Sequence, residues 1–233
     1  MQMKYWFTSI LAFGFAIAAW GQQSAPPPAK SADSGPTLAA TMQFIQEKLS
    51  EQGKVGWAEN LNNQTAVTRR KFVQLTDIMA DPAACTLYAT ETVDSSIDAA
   101  RGKTLSMGGK PINADDFRTH TVETETISFK QVEKITVEKI QDISNKVLAE
   151  SAHPEIMMTV TPPVFYVVLS ASSAVFSFHF STTTGNQTPV EKDTTGKANY
   201  LAFRDEDTAN HVAKAMIHAM ELCGGGVTKK ELF

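Results

Sequence analysis

The sequence predicts an α+β fold: an antiparallel sheet of about seven strands, or a partly open barrel, packed by a C-terminal helix and preceded by an amphipathic helix. Three observations lead to this prediction. A helical stripe of apolar residues begins at Leu38, and strand-like segments rich in Val, Thr, Phe and Tyr fill the middle of the chain. A second helix with a strong start signal follows Asp205.

The first residues, 1–21, have the three parts of a cleavable secretory signal. Lys4 provides the positive start, Trp6–Ala19 is apolar, and small residues stand at Ala19 and Gly21 before a cut at Gln22. A spanning helix needs about 20 apolar residues, so an uncleaved anchor is the lesser alternative. We therefore expect a periplasmic or extracellular protein, cleaved near Gly21, with no integral membrane span after cleavage.

Residues 22–36 follow as a Pro-rich segment, with Pro26, Pro27, Pro28 and Pro36 among small and polar residues. Such a composition offers too few apolar groups to offset the entropy of ordering. We interpret residues 22–36 as a disordered tether and residues 37–233 as a single α+β domain.

The N-terminal helix is predicted from a 3.6-residue period. Thr37 is placed to cap its first turn and Gly53 to end it. Its apolar stripe consists of Leu38, Met42, Ile45 and Leu49. A stripe of this width should pack on the domain, although it could also serve a dimer.

The strand region begins after Trp57. The predicted strands are Val67–Met79, Cys85–Thr92, a short one near Thr104, Thr119–Phe129, Lys134–Ile140, Pro163–Ser170, Ala174–Thr182 and a short extension at Tyr200–Phe203. The segment at Pro163–Ser170 is apolar on both faces, which indicates a central strand covered by a helix. The short link Ala171–Ser173 predicts a hairpin between this strand and the next.

The C-terminal helix carries the clearest signals in the chain. Asp205 is its predicted N-cap, acidic residues occupy its first turn, and Gly224 stands just past its end. The predicted buried face consists of Ala209, Val212, Ala213, Met216, Ile217 and Met220.

Charge and composition exclude one class of partner. The chain has 21 Lys and Arg against 25 Asp and Glu, a formal charge of −4. Nucleic-acid binding needs clustered basic residues, and the longest basic run is Arg69, Arg70 and Lys71. We therefore predict no nucleic-acid partner.

The known motifs of catalysis and cofactor binding are missing from the sequence. The five histidines form no HExxH motif and no i, i+4 pair. A nucleophile elbow GxSxG is absent, and the phosphate-loop pattern fails at Glu191 and Ala198. The prediction is no catalytic residue, no metal and no cofactor.

Two groups of polar residues leave a catalytic alternative open. Glu123 and Glu125 project from one strand face about 7 Å apart, near the spacing of cooperating carboxylates. A solvated strand face explains them equally well. Ser177, His179 and Ser181 also share a face, which we interpret as the polar side of a sheet.

Cys85 and Cys223 are the only cysteines. Because an exported chain enters an oxidising compartment, we predict a disulfide between them that ties the last helix to the start of a strand. Two separate buried thiols are the alternative.

Three stretches carry a resemblance: Thr37–Leu49, Cys85–Tyr88, and Phe203–Ala209 with Glu221–Gly225. Together they resemble uncharacterised exported bacterial proteins with a pleckstrin-homology-like barrel or sandwich and a C-terminal capping helix. The chain departs from lipid-binding members of that fold, because Val93–Thr104 holds only two basic residues. The resemblance therefore implies the fold, and it disfavours phosphoinositide binding.

These observations favour a non-catalytic exported binding or interaction module, whose partner is a protein or another cell-envelope component. One alternative is an enzyme whose site is assembled from distant residues such as Glu123, Glu125 and His179. Another is a structural assembly subunit, which would expose an apolar patch on the Leu38–Leu49 helix.

Overall fold

A computed structural model describes residues 35–62, 67–99, 104–107, 110–151 and 154–226. The predicted leader, and the tether up to residue 34, lie outside the described residues. The helices are α1 Leu38–Glu51, α2 Ile140–Ala149 and α3 Glu206–Leu222, with a 3₁₀ turn at Ala114–Phe117. The strands are β1 Val55–Leu61, β2 Val67–Asp81, β3 Thr86–Ala99, β4 Ser106–Met107, β5 Lys110–Pro111, β6 Thr119–Ser128, β7 Lys134–Lys139, β8 Met158–Thr161, β9 Phe165–Ser170, β10 Phe176–Thr184, β11 Val190–Gly196 and β12 Ala198–Phe203.

The strands form a large antiparallel sheet and two smaller ones. The large sheet has seven strands in the order β11-β10-β6-β3-β2-β1-β8. A three-stranded sheet has the order β12-β9-β7, and β4 pairs with β5. Within the described residues neither main sheet closes into a barrel. The predicted α+β class with a seven-stranded antiparallel sheet is thus confirmed, in its open form.

The core lies on one side of the seven-stranded sheet, which we call the inner face. Alternate residues of β3 and β6, including Leu87, Ala89 and Ile127, are buried there. They join one apolar cluster with residues of α1, α3 and the three-stranded sheet. A second cluster contains Val55, Trp57 and residues of α2, β8 and β12. The opposite, outer face carries exposed polar side chains.

Helix α1 forms as its sequence predicts. The Thr37 hydroxyl accepts a hydrogen bond from the Ala40 amide at 3.3 Å, which satisfies a first-turn donor. Met42, Ile45 and Leu49 are buried against α3 and β2. These three residues of the predicted stripe therefore lie in the core.

Helix α3 packs on the three-stranded sheet. The Asp205 carboxylate accepts a hydrogen bond from the Thr208 amide at 2.7 Å, and Val212 and Met216 have no exposed surface. Just past the helix, Gly224 has a φ of +76°, the left-handed geometry that glycine tolerates best.

A disulfide joins Cys85 to Cys223, the pairing that the sequence predicted, with Cα atoms 5.9 Å apart. It connects the turn before β3 to the end of α3 across 138 positions of the chain. Closing so long a loop restricts the unfolded chain, an effect of about 5 kcal/mol in the chain-entropy account.

The predicted hairpin between the strands around Phe165 and Phe176 is wrong. Strand β9 pairs with β7 and β12, whereas β10 pairs with β6 and β11. The link after Ser170 therefore carries the chain from one sheet to the other. The central position predicted for β9 is confirmed, because Val167 and Leu169 are fully buried towards the cluster that contains α3.

The sequence does not predict β1, β5, β8, β11, α2 or the 3₁₀ turn at Ala114–Phe117. Strand β11 is a polar edge strand and is almost wholly exposed, so it has little apolar alternation to detect. Strand β1 contains Gly56 and Glu59, residues that are uncommon in strands. Both depend on pairing with partner strands rather than on their own propensity.

Candidate functional site

Three glutamates lie side by side on the inner face, and we call them the carboxyl row: Glu91, Glu123 and Glu125. Glu91 on β3 stands directly opposite Glu123 on β6. Glu125 follows two residues later on β6, so its side chain projects from the same face. The row is thus formed by two neighbouring antiparallel strands.

Burial changes the acidity of the row. Burial, followed by the charges of Glu125 and Glu123, raises the pKa of the Glu91 carboxyl to about 8. Burial also raises the pKa of Glu123 to about 7. For Glu125, burial outweighs the lowering effect of its hydrogen bond with Asn199, and the pKa rises to about 7. The row therefore exchanges protons near neutral pH.

Asn199 of β12 is the polar side chain that contacts the row. It is 2% exposed, and its Nδ2 donates to Oε2 of Glu125. Two acceptors beside this bond have no hydrogen-bond partner, Oε1 of Glu125 and Oδ1 of Asn199. Buried acceptors without donors are costly, by about 1–3 kcal/mol each. When Glu125 is ionised, the buried end of the row is therefore short of donors.

Aromatic rings border the row on its strand neighbours. Phe180 stands opposite Glu123 and Phe178 opposite Glu125, with the two ring centroids 6.0 Å apart. The pKa of the Tyr166 phenol is raised, mainly by burial. The next largest cause is the charge of the nearby Glu91 carboxylate.

Tyr166 also packs edge-on against Tyr200, at 5.6 Å between centroids. Tyr200 is 45% exposed, and Glu91 and Glu123 are only partly buried. The row thus runs from the buried Glu125 and Asn199 to a partly exposed end.

Among the described residues, no ion pair joins a lysine, arginine or histidine to the carboxyl row. Glu59, on the same inner face, differs. Its carboxylate lies 3.0 Å from Nζ of Lys71 and 3.7 Å from a guanidinium nitrogen of Arg69. The described residues therefore supply counter-charge at Glu59 and none at the row.

His179, the third candidate from the sequence, is on the other side of the sheet. It stands opposite Thr124 on β6, so it shares the outer face and not the face of Glu123 and Glu125. The set Glu123, Glu125 and His179 is not brought together. The solvated-face interpretation of Glu125 is also wrong, because that residue is 6% exposed.

His179 belongs to a shallow groove of about 640 Å³ across β6, β10 and β11. Its Nδ1 lies 2.7 Å from a carboxylate oxygen of Asp193. The groove is lined by Thr124, Thr126, Ser177, Phe178, His179, Asp193, Thr194 and Thr195. A similar pair joins His120 and Asp94 at 2.7 Å on the same outer face. These surfaces are hydroxyl-rich and open to solvent.

Glu91 and Asn199 are functional candidates that sequence reasoning missed. Glu91 continues the inward alternation of Leu87 and Ala89, so periodicity alone places it on the buried face. Its partner Glu123 could be found only through the β3–β6 register. Asn199 is 74 residues from Glu125, and no local pattern connects the two.

In the described part of the chain, no group of three or more His, Cys, Asp or Glu side chains is arranged to hold a metal ion. The same residues include no helix that is long and apolar enough to cross a membrane.

Comparison with family models, with curated proteins and with solved structures found no match. The pleckstrin-homology-like resemblance therefore stays a prediction, and function has to be argued from the site itself.

Proposed function

We propose that this chain is an exported, non-catalytic binding module that holds its ligand at the carboxyl row. The observation that carries the proposal is the pair of buried acceptors without donors, Oε1 of Glu125 and Oδ1 of Asn199. They lie at one end of a row whose other end, at Glu91 and Glu123, is partly exposed. A ligand entering there would supply the missing donors and offset their desolvation cost.

Export is supported by two independent features. The leader pattern in residues 1–21 is that of a secretory signal. The Cys85–Cys223 disulfide fits an oxidising compartment.

Binding is favoured over catalysis because the row lacks chemically distinct partners. The carboxyls stand beside an amide and aromatic rings, and the one histidine considered as a base, His179, faces away from them. Carboxyls with raised pKa values are also found in acid–base catalysts. Turnover is therefore the competing outcome of the experiment.

A ligand screen by thermal shift tests the proposal. The protein is expressed with its leader, purified after export, and screened against cationic, neutral and anionic metabolites. Three proteins are compared: wild type, Glu123→Gln and Glu191→Gln. Glutamine keeps the shape of a protonated Glu123 and removes its charge. Glu191 is an exposed outer-face glutamate on β11 and serves as the matched control.

We expect compounds that raise Tm of the wild type and the control by several degrees and have at least tenfold weaker affinity for Glu123→Gln. Compounds whose effect is unchanged in Glu123→Gln would place binding elsewhere. A compound that is chemically converted by the wild type and not by folded Glu123→Gln would replace the binding proposal with the enzyme alternative.

A further inference from the structure

We propose that the group bound at the carboxyl row is a primary ammonium, from a free amine or from the lysine side chain of a partner. This inference rests on the proposed function and specifies its ligand. The described contacts of the row support it in three respects: hydrogen bonding, charge and aromatic surroundings.

The hydrogen-bonding argument concerns what the buried end of the row lacks. When Glu125 is ionised, both unpartnered atoms, Oε1 of Glu125 and Oδ1 of Asn199, are acceptors, and both residues are more than nine-tenths buried. A primary ammonium brings three N–H donors and no acceptor. A carboxylate or phosphate ligand would add acceptors to the buried end of the row, where acceptors already lack donors.

The charge argument concerns counter-ions. At Glu59 the fold neutralises a buried carboxylate with one of its own cations, because Nζ of Lys71 lies 3.0 Å from Oε1 of Glu59. The row has three carboxyls and no such ion pair among the described residues. Ionising it without a cation would leave charge in a poorly solvated place, which is strongly unfavourable. A cation supplied by a ligand would neutralise this charge.

The aromatic argument concerns the sides of the row. Phe178 and Phe180 stand opposite Glu125 and Glu123, and Tyr166 lies near Glu91. Ring faces attract ammonium groups through their quadrupole, most strongly where water is excluded. Aromatic rings beside carboxylates therefore suit an amine better than a neutral polar ligand.

Binding of an ammonium at the row must release protons. The row's carboxyls have raised pKa values, so in the empty site many of them remain protonated at neutral pH. An incoming ammonium favours the carboxylate form, and each carboxyl that ionises gives its proton to solvent.

The other titratable and charged groups near the row do not reverse this direction. Tyr166 on β9 has a raised pKa and stays neutral. Tyr200 lies on β12 beside it, and Glu138 stands next to Tyr166 on β7. Lys192 on β11 is opposite Phe180, one strand beyond Glu123, and is exposed. On β1 and β2, Glu59 is paired with Arg69 and Lys71.

Calorimetric titration with two amines and their neutral matches tests the inference. The amines are 1,4-diaminobutane and Nα-acetyl-lysine amide, and the matches are 1,4-butanediol and Nα-acetyl-norleucine amide. The first pair represents a free amine and the second a lysine side chain. Each titration is run at pH 6 and pH 8, in two buffers of different ionisation enthalpy, with wild type, Glu123→Gln, Phe180→Leu and Glu191→Gln.

We expect at least one amine to bind while its neutral match does not, with affinity at least tenfold higher at pH 8 than at pH 6. The heat should depend on the buffer, which reports proton release. Glu123→Gln should weaken binding at least tenfold and Phe180→Leu about threefold, with Glu191→Gln unchanged. The tighter of the two amines identifies the source of the ammonium.

Equal binding of amine and neutral match, or no binding of either amine by folded wild type, would overturn the inference. So would amine affinity that does not change between pH 6 and pH 8. The two proposals can fail separately: if the thermal-shift screen yields neutral ligands that Glu123→Gln no longer binds, the row is a binding site and only its ammonium specificity is wrong.

Discussion

Glu59 and the carboxyl row occupy the same inner face of one sheet and meet different surroundings. Glu59 is 5% exposed and has Lys71 at 3.0 Å, with the indole N–H of Trp57 donating to it at 2.9 Å. The row has the Asn199 amide and no basic partner among the described residues. Oε2 of Glu59 also has no hydrogen-bond partner, so the difference lies in charge: Glu59 has cations from β2, whereas the row requires protons or an external cation.

The comparison shows that burial alone does not decide the state of a carboxyl group. What decides it is whether a cation accompanies the carboxyl into the low-dielectric interior. At Glu59 the cations come from β2, directly across the β1–β2 pair, where Trp57 stands opposite Lys71 and Glu59 opposite Arg69. At the row, the positions opposite Glu123 and Glu125 are filled by Glu91, Ala89, Phe180 and Phe178.

The largest effect is expected from a buried carboxylate that has no partner at all. Val212→Asp would place one on the fully buried face of α3. We expect a loss of about 4 kcal/mol or more, enough to unfold a marginally stable domain. Circular dichroism and urea unfolding measure it, with Lys214→Asp on the exposed side of α3 as control. A native-like unfolding midpoint for Val212→Asp would contradict the packing of α3.

The row predicts a dependence of stability on pH. Between the ordinary glutamate pKa of 4.5 and about 8, the folded row holds protons that the unfolded chain has already lost. The unfolding free energy should therefore fall as pH rises through this window, by at most about 1.4 kcal/mol per pH unit for each group.

Glu91→Gln isolates one member of the row. The glutamine cannot ionise, so the fall in stability between pH 5 and pH 8 should be smaller than in wild type by roughly 2–4 kcal/mol in total. Urea unfolding at pH 5, 6, 7 and 8 measures the slope, with Glu191→Gln as control. Parallel pH profiles for Glu91→Gln and wild type would show that the row titrates normally.

Removing a cation beside Glu59 should leave its buried carboxylate short of counter-charge, as the carboxyls of the row are. Lys71→Met keeps the aliphatic part of the side chain and removes the ammonium 3.0 Å from Glu59. We expect a loss of about 2 kcal/mol at pH 7, on the low side for a broken buried pair because Arg69 remains.

A second substitution tests that interpretation. Glu59→Gln in the Lys71→Met background should recover part of the lost stability, because no buried charge is left unpaired. Lys192→Met, on the same face but exposed, is the control and should change stability by less than about 0.5 kcal/mol. If Lys71→Met proved as mild as Lys192→Met, Glu59 would not depend on its cation.

The smallest effect is expected on the outer face. His179→Ala removes a pair with Asp193 that is open to solvent, and such pairs contribute about 0–1 kcal/mol. Thermal and urea unfolding should change by less than about 0.5 kcal/mol, and amine binding at the row should be unchanged. A large effect of His179→Ala on amine binding would mean that the outer and inner faces of the sheet are energetically coupled.

Much of the secondary structure could be predicted from the sequence, because its signals are local. The caps at Thr37 and Asp205 and the helical stripes behind them depend on contacts three or four residues apart. The alternation that identifies β6 and β10 depends on positions two apart. The polar edge strand β11 lacked such a signal and was missed.

The candidate site could be predicted only in part. Glu123 and Glu125 share a strand, so their common face followed from period-two alternation. That alternation gives two faces without saying which one is buried. Pairing His179 with them was a natural hypothesis, and the β6–β10 register refutes it by placing His179 beside Thr124.

The sequence by itself thus determined α1, α3, most strands and the two cysteines available for a disulfide, since these follow from neighbouring residues and from residue count. Tertiary structure alone decided that β9 leaves the large sheet, that Glu91 joins Glu123, and that Asn199 reaches Glu125. The physical reason is that strand pairing and burial depend on residues far apart in the chain. A carboxyl group's proton affinity depends on those same distant neighbours.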